Sequence, residues 1–204
     1  MRVLAAGCEY SGVSTLLTGL MDWGHERNIH FHHDDHFSIP DHLHLEPEDQ
    51  RSMVAMSPTL KERFQRMQMG YHFGVLRRHQ DCLLSGFHIE EAVYGNRYYY
   101  PGVPTADPMA CEPDFEPDTI LVHLYARPEV IRERMAADPH EYNLIRQEDI
   151  PQLQKEFAQY CGRSSLVHKV NIDTSDLTPS QLLKTFFEQA KPHLPVRDLL
   201  LMMD

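Results

Sequence analysis

Along the 204-residue chain, short apolar runs alternate with stretches whose apolar residues recur three and four apart. The first pattern reads as buried strands and the second as helices that bury one face. Arg2–Ala6 is a short buried strand, and Leu16, Leu17, Leu20 and Met21 place a helix over 14–23. Gly24 is positioned to end it. A second strand over 28–33 runs into the polar Asp34-Asp35-His36. Ser57 as N-cap and Pro58 in the first turn open a long helix that reaches about Gln80. A strand follows at 81–85, a helix at 88–94, and an irregular stretch at 98–117 that holds five prolines. Thr119–Tyr125 is the strongest strand signal of the chain. Beyond it the pattern predicts helices at Pro128–Ala137 and 147–160, a strand at 166–172 and a closing helix at 178–191. Strands alternating with helices predict an α/β fold: a parallel sheet of about five strands with helices on both faces, in three layers. The length suits a single domain over 1–204 with a lid-like region at about 127–150.

The turn after the first strand carries the chemistry. Gly7-Cys8-Glu9-Tyr10-Ser11-Gly12-Val13-Ser14-Thr15 matches the phosphate-loop spacing GxxxxGK[ST] at both glycines and both hydroxyls, between a strand and a helix. Such a loop works through backbone: glycines let amide N–H groups face phosphate oxygens at the positive end of a helix. Gly7, Ser11, Gly12, Val13, Ser14 and Thr15 are therefore the candidate nucleotide-binding residues. Ser14 is the candidate hydroxyl ligand for Mg²⁺. Val13 stands where the pattern has lysine, and a lost charge-assisted contact weakens binding by about 1.5–3 kcal/mol. The fold expectation is thus a P-loop NTPase-like domain with a degenerate loop.

Beyond the loop the chain resembles the thymidylate-kinase and deoxynucleoside-kinase group of P-loop kinases. The segment Leu84-Ser85-Gly86-Phe87-His88-Ile89-Glu90-Glu91-Ala92-Val93-Tyr94-Gly95 is similar to the passage that follows the third strand there. That family often has an acidic–Arg pair where this chain has Ser85-Gly86. Val122 to Arg134 resembles the family's strand leading to a lid helix, whose arginines face the transferred phosphate. Arg127 and Arg134 are the candidates here, with Arg132 turned away from them on the helix. The resemblance implies ATP and Mg²⁺ as cofactors and a nucleotide and a small-molecule acceptor as ligands. It also implies a homodimer, for which the proline-rich stretch is a candidate interface. Asn171-Ile172-Asp173-Thr174-Ser175 resembles the family's closing loop beside the adenine base.

His30-Phe31-His32-His33-Asp34-Asp35-His36 falls at the end of the second strand, and ligands of open α/β sheets bind at the carboxyl ends of strands. In the resembling kinases a carboxylate here accepts the proton of the substrate hydroxyl, which makes Asp34 and Asp35 the candidate general bases. On a strand His30, His32 and Asp34 share a face, so a transition-metal site is a competing expectation.

Composition narrows the picture. The formal charge is −11 with neutral histidine, which argues against a general nucleic-acid surface. No apolar run approaches the ~20 residues that span a bilayer, so no membrane is expected. Four scattered cysteines without metal-site spacing fit free thiols in the cytoplasm. The functional expectation is ATP-dependent phosphoryl transfer to a small hydroxyl or phosphate acceptor. Its alternatives are an impaired nucleotide- or partner-binding domain on the same fold, and a metal-dependent hydrolase built on the histidines.

Overall fold

A computed structural model describes residues 1–34, 39–41 and 45–202. Five strands, β1 (Arg2–Ala6), β2 (His32–Asp34), β3 (Cys82–Ser85), β4 (Thr119–Tyr125) and β5 (His168–Asp173), form one parallel sheet in the order β2-β3-β1-β4-β5. The helices α1 (Val13–Glu26), α2 (Pro47–Val54), α3 (Pro58–Arg78), α4 (Phe87–Tyr94), α5 (Pro128–Ala137), α6 (Ile150–Arg163), α7 (Pro179–Ala190) and α8 (Val196–Leu201) complete the main elements.

The strand period of two divides the core between the faces of the sheet. Val3 and Ala5 of β1 meet Leu16, Leu17 and Leu20 of α1 and Leu182 and Phe186 of α7. Leu4 and Ala6 point the other way, onto a cluster built from α3, α4, α5 and α6 that includes Leu76, Phe87, Ile131 and Phe157. Each leucine-sized side chain fully buried this way contributes about 1.5–3 kcal/mol. β1 is the middle strand and is covered on both faces, so the loop at its carboxyl end rises from the centre of the sheet.

Local signals explain most element ends. Ser57 Oγ accepts the Leu60 N–H, and Thr178 with Gln181 forms a capping box on α7. His88 Nε2–H donates to Glu112 at 2.8 Å, while Glu112 accepts both the N–H and the hydroxyl of Ser165. Burial alone would raise the Glu112 pKa; the bonds from His88, Ser164 and Ser165 outweigh it and hold the carboxyl at about 2. The ionised Glu112 ties α4 to the connection between α6 and β5.

Four expectations are revised. Gly24 does not end α1; the helix continues to Glu26, and Asn28 takes the left-handed backbone that turns the chain, so β2 starts only at His32. Gly24 is instead a point of close approach, because a Cβ there would meet the Phe31 ring at 2.6 Å. The stretch at 98–117 is not wholly irregular, since it holds a 3-10 turn at Pro108–Asp114 begun by Asp107, and a π-helical turn at Gly95–Tyr99 runs into its start. α6 starts at Ile150, three residues later than expected, with proline in its first turn. α2, with eight residues, and α8, with six, are too short to show a sustained helical period. Among the described residues, no helix is long and apolar enough to cross a membrane, and all four cysteines are free thiols.

Candidate functional site

The loop after β1 turns twice through backbone that L side chains rarely adopt, at Tyr10 with φ 65° and at Gly12 with φ 100°. Gly7 is required by space, since a Cβ would overlap the Leu124 carbonyl of β4. Within the loop the Ser11 N–H donates to the Cys8 carbonyl at 2.9 Å. α1 then begins with no side-chain cap. The first N–H groups of a helix have no partner inside it, and an uncapped start leaves them available to an anion.

A cavity of about 600 Å³ opens over this turn. Gly7, Gly12, Val13, Ser14 and Thr15 form its floor, and Thr174 and Leu177 line it beyond β5. Ser11 is fully buried and lies outside the lining, where its carbonyl accepts the Thr174 hydroxyl at 2.7 Å. The side chain of Val13 puts no charge into the space. Burial pushes the Cys8 thiol up to about 12, so it is not a nucleophile at neutral pH.

The cationic groups separate cleanly. Arg134 lines the cavity, and its guanidinium donates to the Tyr10 carbonyl at 2.9 Å, to the Thr174 hydroxyl at 3.1 Å and to the Thr174 carbonyl at 2.7 Å. It clamps the loop after β1 to the end of β5. Arg127 is not part of the lining. Its exposed guanidinium makes two bonds to Asp176 at 2.7 and 2.8 Å. Arg132 reaches the Gln147 carbonyl at 3.4 Å, away from the loop.

The expected acidic end of β2 lies elsewhere. Asp34 lines neither this cavity nor its neighbour. Its carboxylate sits 3.3 Å from His72 Nε2 of α3 and 3.7 Å from His32 Nε2. Burial would raise its pKa, but the His72 and Tyr71 bonds and the two histidines lower it below the usual carboxylate value. Asp35 and His36 lie outside the described residues. Among the described residues, no group of three histidine, cysteine or carboxylate side chains is arranged to hold a metal ion. His32 instead stacks on His79 at 4.2 Å.

Among the described residues, three acidic side chains line the cavity: Glu9, Glu90 and Asp138. None of them stood out as a candidate from the sequence. Glu90 lies over Gly86, whose φ of 65° and lack of a side chain make room for it; a Cβ there would overlap the Glu90 carboxylate. Gly86 is thus the residue this packing needs. The one signal visible in the sequence for Glu9 was an acid inside a loop whose spacing matches a phosphate-binding pattern. Its N–H donates to the Tyr94 hydroxyl at 3.0 Å, and its Oε2 accepts the Ile145 N–H at 3.3 Å. The segment between α5 and α6 also meets the loop at Tyr10, whose ring stacks on His140 at 4.4 Å and whose hydroxyl accepts the His140 N–H at 3.1 Å. That segment lies within the predicted lid-like region.

The architecture has solved counterparts. The YorR protein of Bacillus subtilis, in complex with phosphorylated GDP, superposes with a TM-score of 0.63 and 16% identity, over 96% of this chain and 99% of that one. Deoxyadenosine kinase from M. mycoides with bound dATP gives 0.63 at 11% identity, over 94% of this chain and all of that one. The same enzyme with dCMP and dCDP gives 0.61. The chain has the three-layer α/β fold of these proteins. No protein-family model matches the sequence, and no curated protein matches it. The likeness to the P-loop kinases therefore lies in the arrangement of elements, at identities that carry the fold alone.

Proposed function

We propose that the chain binds Mg·ATP on residues 7–15 and transfers its terminal phosphoryl group to a small hydroxyl or phosphate acceptor. The observation that supports this best is the cavity over the uncapped start of α1, with Ser14, Thr15 and Arg134 in its walls. Backbone N–H groups at 12–15 hold the phosphates, and Arg134 supplies positive charge that Val13 does not. The Ser14 hydroxyl is a hard oxygen donor facing the cavity, which suits Mg²⁺ together with phosphate oxygens and water. When bound, Mg²⁺ neutralises charge on the phosphates. Thr15 supports the loop beside Ser14. The four free thiols fit a reducing cytoplasm, and a homodimer through the 98–117 stretch is part of the same proposal.

The fold-related proteins above bind or act on nucleotides, and this supports a nucleotide ligand here. A second reading is supported by Val13 and by Ser85-Gly86: a domain that binds nucleotide or a partner without turnover. Melting temperature with Mg·ATP, Mg·ADP, and ATP with EDTA tests the first step. Ligand at ~100 times its Kd stabilises by ~2.7 kcal/mol, which is roughly 5–10 °C for a domain of this size. A Mg²⁺-dependent rise with measurable phosphoryl transfer supports the kinase reading. The same rise with no transfer to common nucleosides or nucleotides favours the second, and no rise with any nucleotide overturns both.

A further inference from the structure

A second cavity of about 350 Å³ adjoins the first, walled by Ile39, Pro40, Tyr99, Tyr142 and Leu144, with Gln50 as a neutral polar group. Four residues line both spaces: Glu9, Tyr99, His140 and Leu144. Among the described residues, Glu9 is the one carboxylate at this junction, since Glu90 and Asp138 line only the larger cavity and Glu141 only the smaller. Its backbone is fixed by the bond to the Tyr94 hydroxyl, and its Oε2 is held by the Ile145 N–H. The carboxylate thus stands at a fixed position between the loop after β1 and a space whose walls are apolar and aromatic at Ile39, Pro40, Tyr99, Tyr142 and Leu144 and polar at Gln50, His140 and Glu141.

Resting on the phosphotransferase reading, we infer that Glu9 is the general base and that the smaller cavity receives a hydroxylated acceptor with an apolar or aromatic body. The acceptor hydroxyl gives its proton to the Glu9 carboxylate. Its oxygen forms a bond to the terminal phosphorus of ATP. The bond from that phosphorus to the β,γ-bridging oxygen breaks, and ADP leaves with the electron pair. Glu9 then loses the proton to solvent. The space favours an uncharged acceptor group over a phosphate. Arg134 is the cavity lining's one arginine, there is no lysine, and its guanidinium is already bonded to Tyr10 and Thr174. None of the residues outside the described ranges is lysine or arginine.

The environment of Glu9 suits the role. Burial raises its pKa to about 7, against the lowering by the N–H groups of Ile145 and Leu144. A base matched to neutral pH is the efficient one. Around it are Glu90 and Tyr94 from α4, Tyr99, Arg134 from α5, and Asp138, His140 and Glu141 from the segment beyond. Asp34, by contrast, is engaged with α3 and lines neither space.

The test is transfer from Mg·ATP to the common nucleosides by wild type, Glu9→Gln, Glu9→Asp and Glu90→Gln, across pH 5.5 to 9. Glutamine keeps the shape and the acceptor for Ile145, so the fold and the Mg·ATP melting shift should be unchanged. The expected result is a roughly 10²–10⁴-fold fall in kcat for Glu9→Gln. The wild-type rate should rise with pH through about 7, and that rise should vanish in Glu9→Gln and persist in Glu90→Gln. Partial activity in Glu9→Asp, with the rise displaced, supports the same role. Wild-type activity in Glu9→Gln with its pH rise intact overturns the inference alone, as does loss of the rise in Glu90→Gln only. Normal Mg·ATP binding with no transfer by the wild type overturns the phosphotransferase reading, and the inference with it.

Discussion

Nε2 of His72 lies 3.3 Å from Oδ1 of Asp34, which ties the end of β2 to the middle of α3. The Nδ1 of the same ring is 2.8 Å from the Gln68 carbonyl, so the ring is held from both sides. Asp34 is therefore a joint between elements. Its pKa lies below the ordinary value, so its contribution to stability is present above the usual carboxylate range and is lost as pH falls below it. Asp34→Asn should destabilise the protein by about 1.5–3 kcal/mol near neutral pH. The gap between variant and wild type should narrow towards pH 3. Urea unfolding at pH 7 and pH 3 reads both. A fall in kcat beyond 100-fold with unchanged stability would return Asp34 to the reacting centre.

Val13 occupies the lysine position, and its side chain lines the floor of the cavity. Val13→Lys should bring an ammonium to the bound phosphates and tighten Mg·ATP roughly 10–100-fold, the equivalent of a charge-assisted hydrogen bond. Calorimetric titration gives the change directly. An unaltered Kd would mean that the phosphates do not lie along this loop in the usual register.

Much of this was legible in the residues. Short unbroken apolar runs and a 3.6-residue period made the layers legible, because β1 and β4 are buried on both faces and α1 and α7 carry apolar stripes. The turn after β1 was legible because glycine spacing is a backbone requirement. The identity of its acidic neighbours was not. Glu9 and Glu90 enter the cavity only through the fold: Glu9 by a left-handed turn at Tyr10, and Glu90 by the space that Gly86 leaves. Asp34 and Arg127 had the right places in the chain, but side-chain direction decides use. A neighbouring histidine claimed one, and an exposed aspartate the other.

Arg134 joins three acceptors on two segments, at Tyr10 and Thr174. Arg134→Ala should leave two carbonyls without their partner and cost about 2 kcal/mol. For a domain of this length that lowers Tm by roughly 4–8 °C. Arg134→Lys keeps the charge but cannot span the same acceptors. It should recover part of the Tm while losing most of the transfer rate if the guanidinium also meets phosphate. Arg127→Ala should leave Tm unchanged, since its pair with Asp176 is solvent-exposed. Equal Tm losses for Arg127→Ala and Arg134→Ala would contradict this division of labour.

Glu91 supplies a test of the core beside the site. Its Oε2 is buried and has no hydrogen-bond partner among the described residues, and Glu62 of α3 lies close by. Burial first, and the Glu62 charge second, raise its pKa from 4.5 to about 8. A folded-state pKa above the unfolded one means that its contribution is fully present below about pH 4.5 and is lost as pH rises through about 8. Glu91→Gln keeps the shape and removes the titration. Stability of the wild type should fall between pH 6 and pH 9, while the variant stays flatter and is more stable at pH 9 by about 1–3 kcal/mol. Urea unfolding at the two pH values measures it. Parallel declines in the two proteins would place the alkaline loss on another group, with Glu9 at about 7 the next to substitute.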